Sequence, residues 1–183
     1  MRLFIAIEIP RGVREQVAAL QQQLNHPFNK IRWVQSESIH ITLKFLGETK
    51  PELIPELKQA IKGALPFVPF KMSLQQLGVF PDLHFPQVVW CGIHEGGGLL
   101  KNLVERIESI AESLGFEEEK RSFHPHLTLG RVKFLKEKNW FIQKITGTRF
   151  ATEEFEVDHF NLFQSELGEA GAKYSILETY PPI

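Results

Sequence analysis

The sequence is poor in several features on which common protein classes depend. Its single cysteine, Cys91, excludes an internal disulfide and a thiolate-rich metal site. The apolar N-terminal stretch is interrupted at Glu8 and Pro10, far short of a secretory signal or a membrane span. The formal net charge is −1, whereas proteins that grip many phosphates of a duplex are strongly basic. We therefore expect a soluble, cytoplasmic protein without membrane contacts. A small phosphate ligand or a nucleic-acid end remains open.

The sequence does contain one short motif twice. His-Ile-Thr-Leu occupies residues 40–43, and His-Leu-Thr-Leu follows 86 positions later at residues 126–129. On an extended strand alternate side chains share a face, so each copy presents an imidazole and a hydroxyl together and directs its apolar side chains to the other face. Because 86 positions is close to half of the 183 residues, the repeat indicates a duplicated unit whose copies face each other across a cleft.

The periodicity of apolar residues places both motifs on strands that follow helices. Helices are predicted over about 11–25 and 53–64, from the glycines at 96–98 to about Gly115, and as a short helix or turn near 140–145. Strands are expected at about 3–9, 31–34, 39–46, 67–77, 87–93, 126–134, 154–163 and 173–179, with loops at 78–86 and 165–172. This order predicts an α+β fold: one domain over residues 1–183, made of two lobes related by pseudo-twofold symmetry. Each lobe would be an antiparallel sheet with helices on its outer face, and the active cleft would lie between the sheets.

Two histidines in one cleft are suited to acid–base catalysis. Near neutral pH one imidazole can be neutral and accept a proton while the other is protonated and donates one. A cyclic phosphodiester fits this pair, because water attacks phosphorus on one side while the leaving ribose oxygen needs a proton on the other. The Thr42 and Thr128 hydroxyls could donate hydrogen bonds to the non-bridging oxygens, and Arg131 is the nearest guanidinium candidate. The two copies are equivalent in sequence, so the residues alone do not say whether His40 or His126 is the acid.

His124 raises the alternative of a metal site, because it shares a strand face with His126. Zinc would need a third protein ligand and an open position for water. Thiolates are excluded, and the two aspartates of the chain, Asp82 and Asp158, are far from both motifs in sequence, although folding could bring a glutamate or His84 near. We expect no metal and no other cofactor, and we interpret His124 as shaping the entry of the strand.

The chain resembles the RNA 2′,3′-cyclic phosphodiesterases of the two-histidine phosphoesterase family, the LigT or ThpR type, also described as 2′-5′ RNA ligase-like. The segments that carry the resemblance are residues 40–47 (His-Ile-Thr-Leu-Lys-Phe-Leu-Gly), 123–131 (Phe-His-Pro-His-Leu-Thr-Leu-Gly-Arg), 2–7, 78–81, 164–165 and 171–174. They are distributed over nearly the whole length of the chain. Two His-x-Thr motifs in this framing are specific, whereas one alone would be weak.

The resemblance implies a metal-independent hydrolase that converts RNA 2′,3′-cyclic phosphate ends to 2′-phosphomonoesters. By motif order His40 would be the proton donor and His126 the proton acceptor, with Arg131 on the phosphate and Phe45 against the base. It also implies the reverse reaction, 2′-5′ joining of RNA such as tRNA halves. A monomer is the default expectation. Two alternatives remain: a non-catalytic module that binds RNA ends or nucleotides, which would gain more from lysine or arginine than from histidine, and a metal-dependent phosphohydrolase.

Strict alternation conflicts with part of this assignment. Phe45 and Arg131 each follow a motif histidine by five positions, which puts both on the face away from the cleft, and Lys44 then falls on the cleft face. Either the strands bulge, for which the glycine before Arg131 offers a site, or these two residues do not meet the substrate. The roles of Trp33 and Phe80 are also left undecided by the sequence, since each could pack in the core or stack on a base at the cleft rim.

Overall fold

The computed structural model describes residues 1–64, 67–120, 122–168 and 171–181. Its helices are α1 (Arg11–Leu24), α2 (Ile54–Ala64), α3 (Gly97–Ser113) and α4 (Lys138–Gly147). The first half of the chain contributes the strands β1 (Arg2–Glu8), β2 (Asn29–Trp33), β3 (His40–Glu48), β4 (Phe70–Met72), β5 (Leu74–Phe80) and β6 (Val88–Ile93). The second half contributes β7 (His126–Leu135), β8 (Phe155–Val157), β9 (Phe160–Gly168) and β10 (Gly171–Tyr180). None of the helices in these described ranges is long and apolar enough to span a membrane.

The strands form two four-stranded antiparallel sheets and one two-stranded ribbon. The order is β10-β9-β1-β3 in the first sheet and β2-β7-β6-β5 in the second, and β4 pairs with β8. The predicted α+β fold with antiparallel sheets is confirmed. The two sheets are interlaced, because β2 comes from the first half of the chain and pairs with β7, whereas β9 and β10 come from the second half and join β1.

The duplicated unit is a strand, a helix and a motif strand. β1 leads through α1 to β3, and these two strands pair; β6 leads through α3 to β7, and these two strands pair as well. Each motif histidine is the first residue of its strand, and β3 and β7 contact each other although they belong to different sheets. The duplication therefore brings the two motifs to neighbouring strands.

One face of each sheet packs on the helices in the main core. On β1 the alternate residues Leu3, Ile5 and Ile7 are at most 2% exposed and belong to this core. Helices α1 and α3 bury their predicted apolar faces in the same core, as Val17 and Ile107 illustrate. This packing leaves the opposite face of each sheet, on which the motif histidines lie, outside the main core.

Four predicted boundaries were wrong. The segment 78–80 is the end of β5, because it pairs with the start of β6, and so the predicted loop is limited to the residues after Phe80. The loop expected at 165–172 is mostly strand, since β9 and β10 pair as far as Gly168 and Gly171; residues 169 and 170 lie outside the described residues. The strands expected at 67–77 and 154–163 are each divided, into β4 and β5 and into β8 and β9.

Candidate active site

His40 opens β3 and is held by the backbone just before it. Its Nδ1 lies 2.7 Å from the carbonyl oxygen of Ser38. A carbonyl oxygen only accepts, so Nδ1 carries the proton and donates. The imidazole is half-buried, with its Nε2 left for another partner.

His126 opens β7 with the same arrangement. Its Nδ1 lies 2.6 Å from the carbonyl oxygen of His124, again two residues earlier. The backbone thus selects the same tautomer at both histidines and leaves both Nε2 atoms available for proton transfer. A histidine with a purely structural role would not require a second histidine held in the same way. The repeated hydrogen bond is therefore the most informative geometry in the site.

Both motif strands bulge at the same position after the histidine. Between β1 and β3 the register passes from Ala6 opposite Thr42 to Ile5 opposite Lys44, so Leu43 is an extra residue. Between β6 and β7 it passes from Trp90 opposite Thr128 to Val89 opposite Gly130, so Leu129 is extra. A bulge reverses the alternation that follows it.

The bulges resolve the conflict over the sequence-predicted site residues. Phe45 pairs with Phe4 and lies on the face of His40 and Thr42. In the second sheet, Arg131 shares its face with His126 and Thr128 by the same reversal. Both residues are exposed, Phe45 at 62%.

Lys44 lies on the opposite face from the one predicted, because the bulge at Leu43 turns it toward the core. Its side chain is 3% exposed, and its Nζ forms an ion pair with Glu108 of α3 and donates 2.6 Å to the Glu117 carbonyl oxygen. Burial of an ammonium requires such partners. Lys44 is therefore a structural residue that ties β3 to α3 and to the segment after it.

Gln21 of α1 satisfies the backbone at the second bulge. It is 8% exposed, and its Nε2 donates to the carbonyl oxygens of Leu129 (2.9 Å) and Val34 (3.0 Å). The Val34 amide also donates to Leu129. The carbonyl of the extra residue thus finds partners on α1 and at the end of β2, which stabilises the bulge that orients Arg131. The sequence offered one signal for Gln21, a polar residue on the buried side of an apolar helix.

Aromatic side chains surround the His40 ring. The ring centroid of Phe4 lies 4.9 Å from that of His40, and the Tyr174 ring stands edge-on at 5.3 Å. Phe163 stacks on Phe4 at 5.1 Å, and Phe45 lies 6.3 Å from Phe4. Phe4 and Phe163 form a small buried cluster separate from the main core. Alternation on β1 could have placed Phe4 on this face; Tyr174 is 134 positions from His40, and only folding reveals the contact.

A second aromatic group borders His126. The Phe80 ring meets the imidazole edge-on at 5.1 Å and stacks on Trp90 at 5.1 Å. Gly78 allows this arrangement, since a Cβ there would lie 2.1 Å from the indole ring of Trp90. Phe80 is thus on the site face, whereas Trp33 lies on the opposite face of the second sheet and packs against the core.

Burial lowers the pKa of both histidines below the ordinary value of 6.5. At His40 the hydrogen bond to Ser38 opposes this effect, and at His126 the hydrogen bond to the His124 carbonyl does so. The neighbouring imidazole of His124 lowers the pKa of His126 further. Both rings are therefore predominantly neutral at pH 7 until a negative ligand favours protonation.

The remaining candidates do not gather into a metal site among the described residues. His124 is exposed, and its Nδ1 lies 2.9 Å from the Ser122 carbonyl oxygen. No group of three or more histidine, cysteine, aspartate or glutamate side chains suited to a metal ion occurs in the described part of the chain. Cys91 is buried, which raises the pKa of its thiol to about 12 and makes it unreactive.

Comparison with known proteins agrees with this geometry. The chain matches the LigT like Phosphoesterase family over residues 7–90 and 93–174, one segment in each half. It is 37% identical to the RNA 2′,3′-cyclic phosphodiesterase of Methanocaldococcus jannaschii, over 98% of this chain and 100% of that protein, and 35% identical to that of Archaeoglobus fulgidus, over 98% and 99%. Among solved structures, E. coli LigT complexed with 3′-AMP is 27% identical with a TM-score of 0.81, over 98% of this chain and 96% of that one.

An α+β protein with two histidine motifs on neighbouring strands and these relatives is a phosphoesterase. The chain belongs to the LigT-like phosphoesterase family, as the sequence resemblance predicted. It is an enzyme of the hydrolase class that acts on phosphodiester bonds.

Proposed function

We propose that the protein hydrolyses the 2′,3′-cyclic phosphate at the 3′ end of an RNA chain and leaves a 2′-phosphomonoester. The observation that carries this proposal is the repeated hydrogen bond from Nδ1 of His40 and His126 to a backbone carbonyl. It gives two oriented imidazoles whose Nε2 atoms are both free to exchange protons. The names of the relatives in M. jannaschii and A. fulgidus support the cyclic phosphate as the bond attacked.

In the proposed reaction His126 is the general base and His40 the general acid. Nε2 of His126 removes a proton from the attacking water as the new P–O bond forms. The bond from phosphorus to O3′ breaks, and Nε2 of protonated His40 transfers its proton to O3′, which leaves the phosphate on O2′. Each transfer contributes roughly 10²- to 10⁴-fold to the rate.

The charge that develops on the non-bridging oxygens is stabilised from both strands. The hydroxyls of Thr42 and Thr128 donate hydrogen bonds to these oxygens, and the Arg131 guanidinium adds charge-assisted ones. Phe45, which is exposed and whose ring lies 6.3 Å from that of Phe4, stacks on the terminal base.

The lowered pKa values of His40 and His126 fit this division of roles. In the free protein both imidazoles are mostly neutral, so a base is present at pH 7. The anionic phosphodiester raises the pKa of the imidazole beside the leaving oxygen and so supplies the acid. We expect a bell-shaped dependence of kcat on pH, with one limb for each histidine, because kcat reports the pKa values in the enzyme–substrate complex.

The same site would also join RNA ends through a 2′-5′ bond, with tRNA halves as one natural form of substrate. In this joining reaction a ribose 5′-hydroxyl takes the place of water: His126 removes its proton as the new P–O bond forms, the P–O3′ bond breaks and His40 protonates O3′. The two histidines exchange these roles when the 2′-5′ bond is cleaved back to the cyclic phosphate. We further propose that the chain acts as a single two-lobed domain over residues 1–183, as a monomer and in the cytoplasm.

The test is product analysis with and without a chelator. The protein is incubated in excess EDTA with a 2′,3′-cyclic mononucleotide and with a short RNA that ends in a cyclic phosphate, and the products are separated chromatographically. A 2′-phosphate formed in EDTA supports the proposal. A 3′-phosphate would overturn the assignment of the leaving oxygen. Activity lost in EDTA and restored by a metal would indicate a metal-dependent hydrolase, and binding without turnover a non-catalytic binder.

A further inference from the structure

Three exposed phenylalanines lie at the end of the second sheet beyond Arg131. Phe28 precedes β2, Phe134 is near the end of β7, and Phe85 is in the connection between β5 and β6. They are 57%, 56% and 74% exposed. Apolar rings left open to water in one region indicate a binding surface rather than core packing.

Lysine side chains accompany these rings. The Nζ of Lys136 lies 5.0 Å from the centroid of the Phe28 ring, and that of Lys138 lies 5.8 Å from the centroid of Phe85. Lys30 is directly opposite Phe134 on the neighbouring strand. We call these six residues the lysine–phenylalanine patch. Within the described ranges, none of its lysines forms an ion pair with a carboxylate. The Nζ of Lys138 donates 2.6 Å to the carbonyl oxygen of His84, a contact that leaves its positive charge in place.

The patch continues the face of the proposed active site. Arg32 on β2 is directly opposite Arg131 on β7, and alternation along β2 places Lys30 on the face of Arg32. Phe134 shares this face because a second bulge in β7, after Val132, brings it opposite Lys30. Phe134 lies six positions after Thr128 on one strand, a path of about 20 Å at the usual rise per residue. Two like charges opposite each other repel unless a negative ligand lies between them, which is a further sign of an anionic ligand.

The acidic groups near the patch form no ion pair with its lysines within the described residues. The Asp82 carboxylate accepts hydrogen bonds from the backbone amides of Phe85 (3.0 Å) and His84 (2.7 Å), which lower its pKa, and the nearby charge of Lys138 lowers it further. The effect of this carboxylate is to order the loop that presents Phe85. The Glu137 amide donates to Asn29 at the start of β2, and its side chain forms no ion pair with the patch lysines.

We infer that the lysine–phenylalanine patch binds the single-stranded RNA that precedes the cyclic end, with bases stacked on the phenylalanines and phosphates paired with the lysines. This inference rests on the proposed function, because a chain whose 3′ end occupies the phosphate site must continue in the 5′ direction. Cations interleaved with aromatic rings are the physical features of surfaces that bind single strands without sequence preference. The protein would then favour oligonucleotide ends over mononucleotides even though its overall charge is −1.

Binding is tested with a fluorescein-labelled single-stranded RNA of about eight nucleotides that ends in a 3′-hydroxyl, by fluorescence anisotropy at several salt concentrations. Phe85→Ala should raise Kd about 10-fold through the loss of one stacked base. Lys136→Gln should reduce the slope of log K against log salt by about 0.7, the value for one phosphate contact on a single strand. The matched controls Val68→Ala and Lys62→Gln change an exposed apolar residue and an exposed lysine elsewhere, and should leave both quantities unchanged.

Turnover gives the second arm of the test. The wild-type protein should have a higher kcat/KM for a cyclic-ended oligonucleotide than for a 2′,3′-cyclic mononucleotide, and Phe85→Ala and Lys136→Gln should lower only the former. Equal values for the two substrates, or patch variants with wild-type RNA affinity, would overturn the inference while the proposed function stands. If neither substrate is hydrolysed, the proposed function fails and the anisotropy result still decides the patch. A change of oligomeric state without loss of RNA affinity would indicate a protein partner instead and also overturn it.

Discussion

The two motif strands are alike in backbone and different in surroundings. Both begin with a histidine whose Nδ1 is bonded to a carbonyl two residues earlier, and both bulge at the fourth motif residue. Beyond the bulge the first strand presents Phe45 and the second presents Arg131. In the proposed mechanism the shared part supplies two equivalent proton-transfer groups, and the difference makes the first strand the base-stacking side and the second the phosphate-binding side.

The largest effect on activity is expected from removal of either motif histidine. His40→Ala and His126→Ala should each lower kcat by about 10²- to 10⁴-fold, because each removes one proton transfer. The fold should persist, since neither imidazole is part of the main core. Steady-state assays with a cyclic mononucleotide, with circular dichroism as the control for folding, measure both. If one variant kept near-wild-type activity, the symmetric interpretation of the two strands would be wrong.

The residue directly after the bulge differs between the two strands, and its substitution should lower the stability of the fold for a different reason in each. Lys44→Ala should cost about 3 kcal/mol of unfolding free energy, because it leaves Glu108 without its buried partner. The equivalent residue of the second strand is Gly130, where a Cβ would lie 2.7 Å from the Trp33 ring and 3.2 Å from the Arg32 carbonyl oxygen. Gly130→Ala should therefore also destabilise, by about 1–3 kcal/mol.

Urea denaturation measures both variants. The control for the first strand is the pair Lys44→Met and Glu108→Gln, which removes both charges together and should restore part of the lost stability. If Lys44→Ala were as stable as the wild type, the ion pair with α3 would have no structural role.

Substitution of the exposed residue two positions after the histidine–threonine pair's bulged leucine, Phe45 in β3 and Arg131 in β7, should affect different kinetic constants. Arg131→Gln should lower kcat/KM about 10- to 100-fold, with a large part in kcat, because it removes a charged donor to the reacting phosphate. Phe45→Ala should act mainly on KM, by the loss of one stacking contact. Arg131→Lys serves as the conservative control, since it keeps the charge but loses the bidentate geometry. Equal effects on KM and kcat in both variants would contradict the division between base side and phosphate side.

The smallest effect is a shift in the pH profile. His124 lowers the pKa of His126, and His40 has no second imidazole as its neighbour on β3. His124→Gln should raise the pKa of His126 and move the acidic limb of the kcat profile to higher pH, because the base then becomes protonated at a higher pH. The hydrogen bond to His126 is retained, since it uses a backbone carbonyl. The alkaline limb, assigned to His40, should not move; a shift of both limbs would refute the separate assignment.

Much of the fold and the candidate site could be predicted from the sequence because periodicity and the repeated motif carry them. The helices, the motif strands and the face shared by each histidine and threonine follow from local patterns. The bulges do not, because the extra residues Leu43 and Leu129 fit regular alternation perfectly well, and only a glycine at 130 gave a hint. Lys44 was placed on the wrong face for this reason.

Contacts between distant segments were beyond the reach of sequence patterns. Nothing in a five-residue strand such as β2 specifies that it pairs with β7 rather than within its own half. The Tyr174 ring beside His40 is a product of the same long-range pairing, since it depends on β10 joining the first sheet through β9. Periodicity reports which face of an element is apolar, and it contains no information on which neighbour covers an edge.

Because the two sheets exchange strands, the position of each motif histidine depends on both halves of the polypeptide. A fragment that ended before α3 would keep His40 but would lack β7 beside β2 and β6, β8 beside β4 and β9 beside β1, so it would expose unpaired strand edges to other chains. Each motif strand therefore lies in a sheet that needs strands from both halves of the chain. A mutation that destabilises one lobe should therefore also disturb the position of the motif histidine in the other lobe.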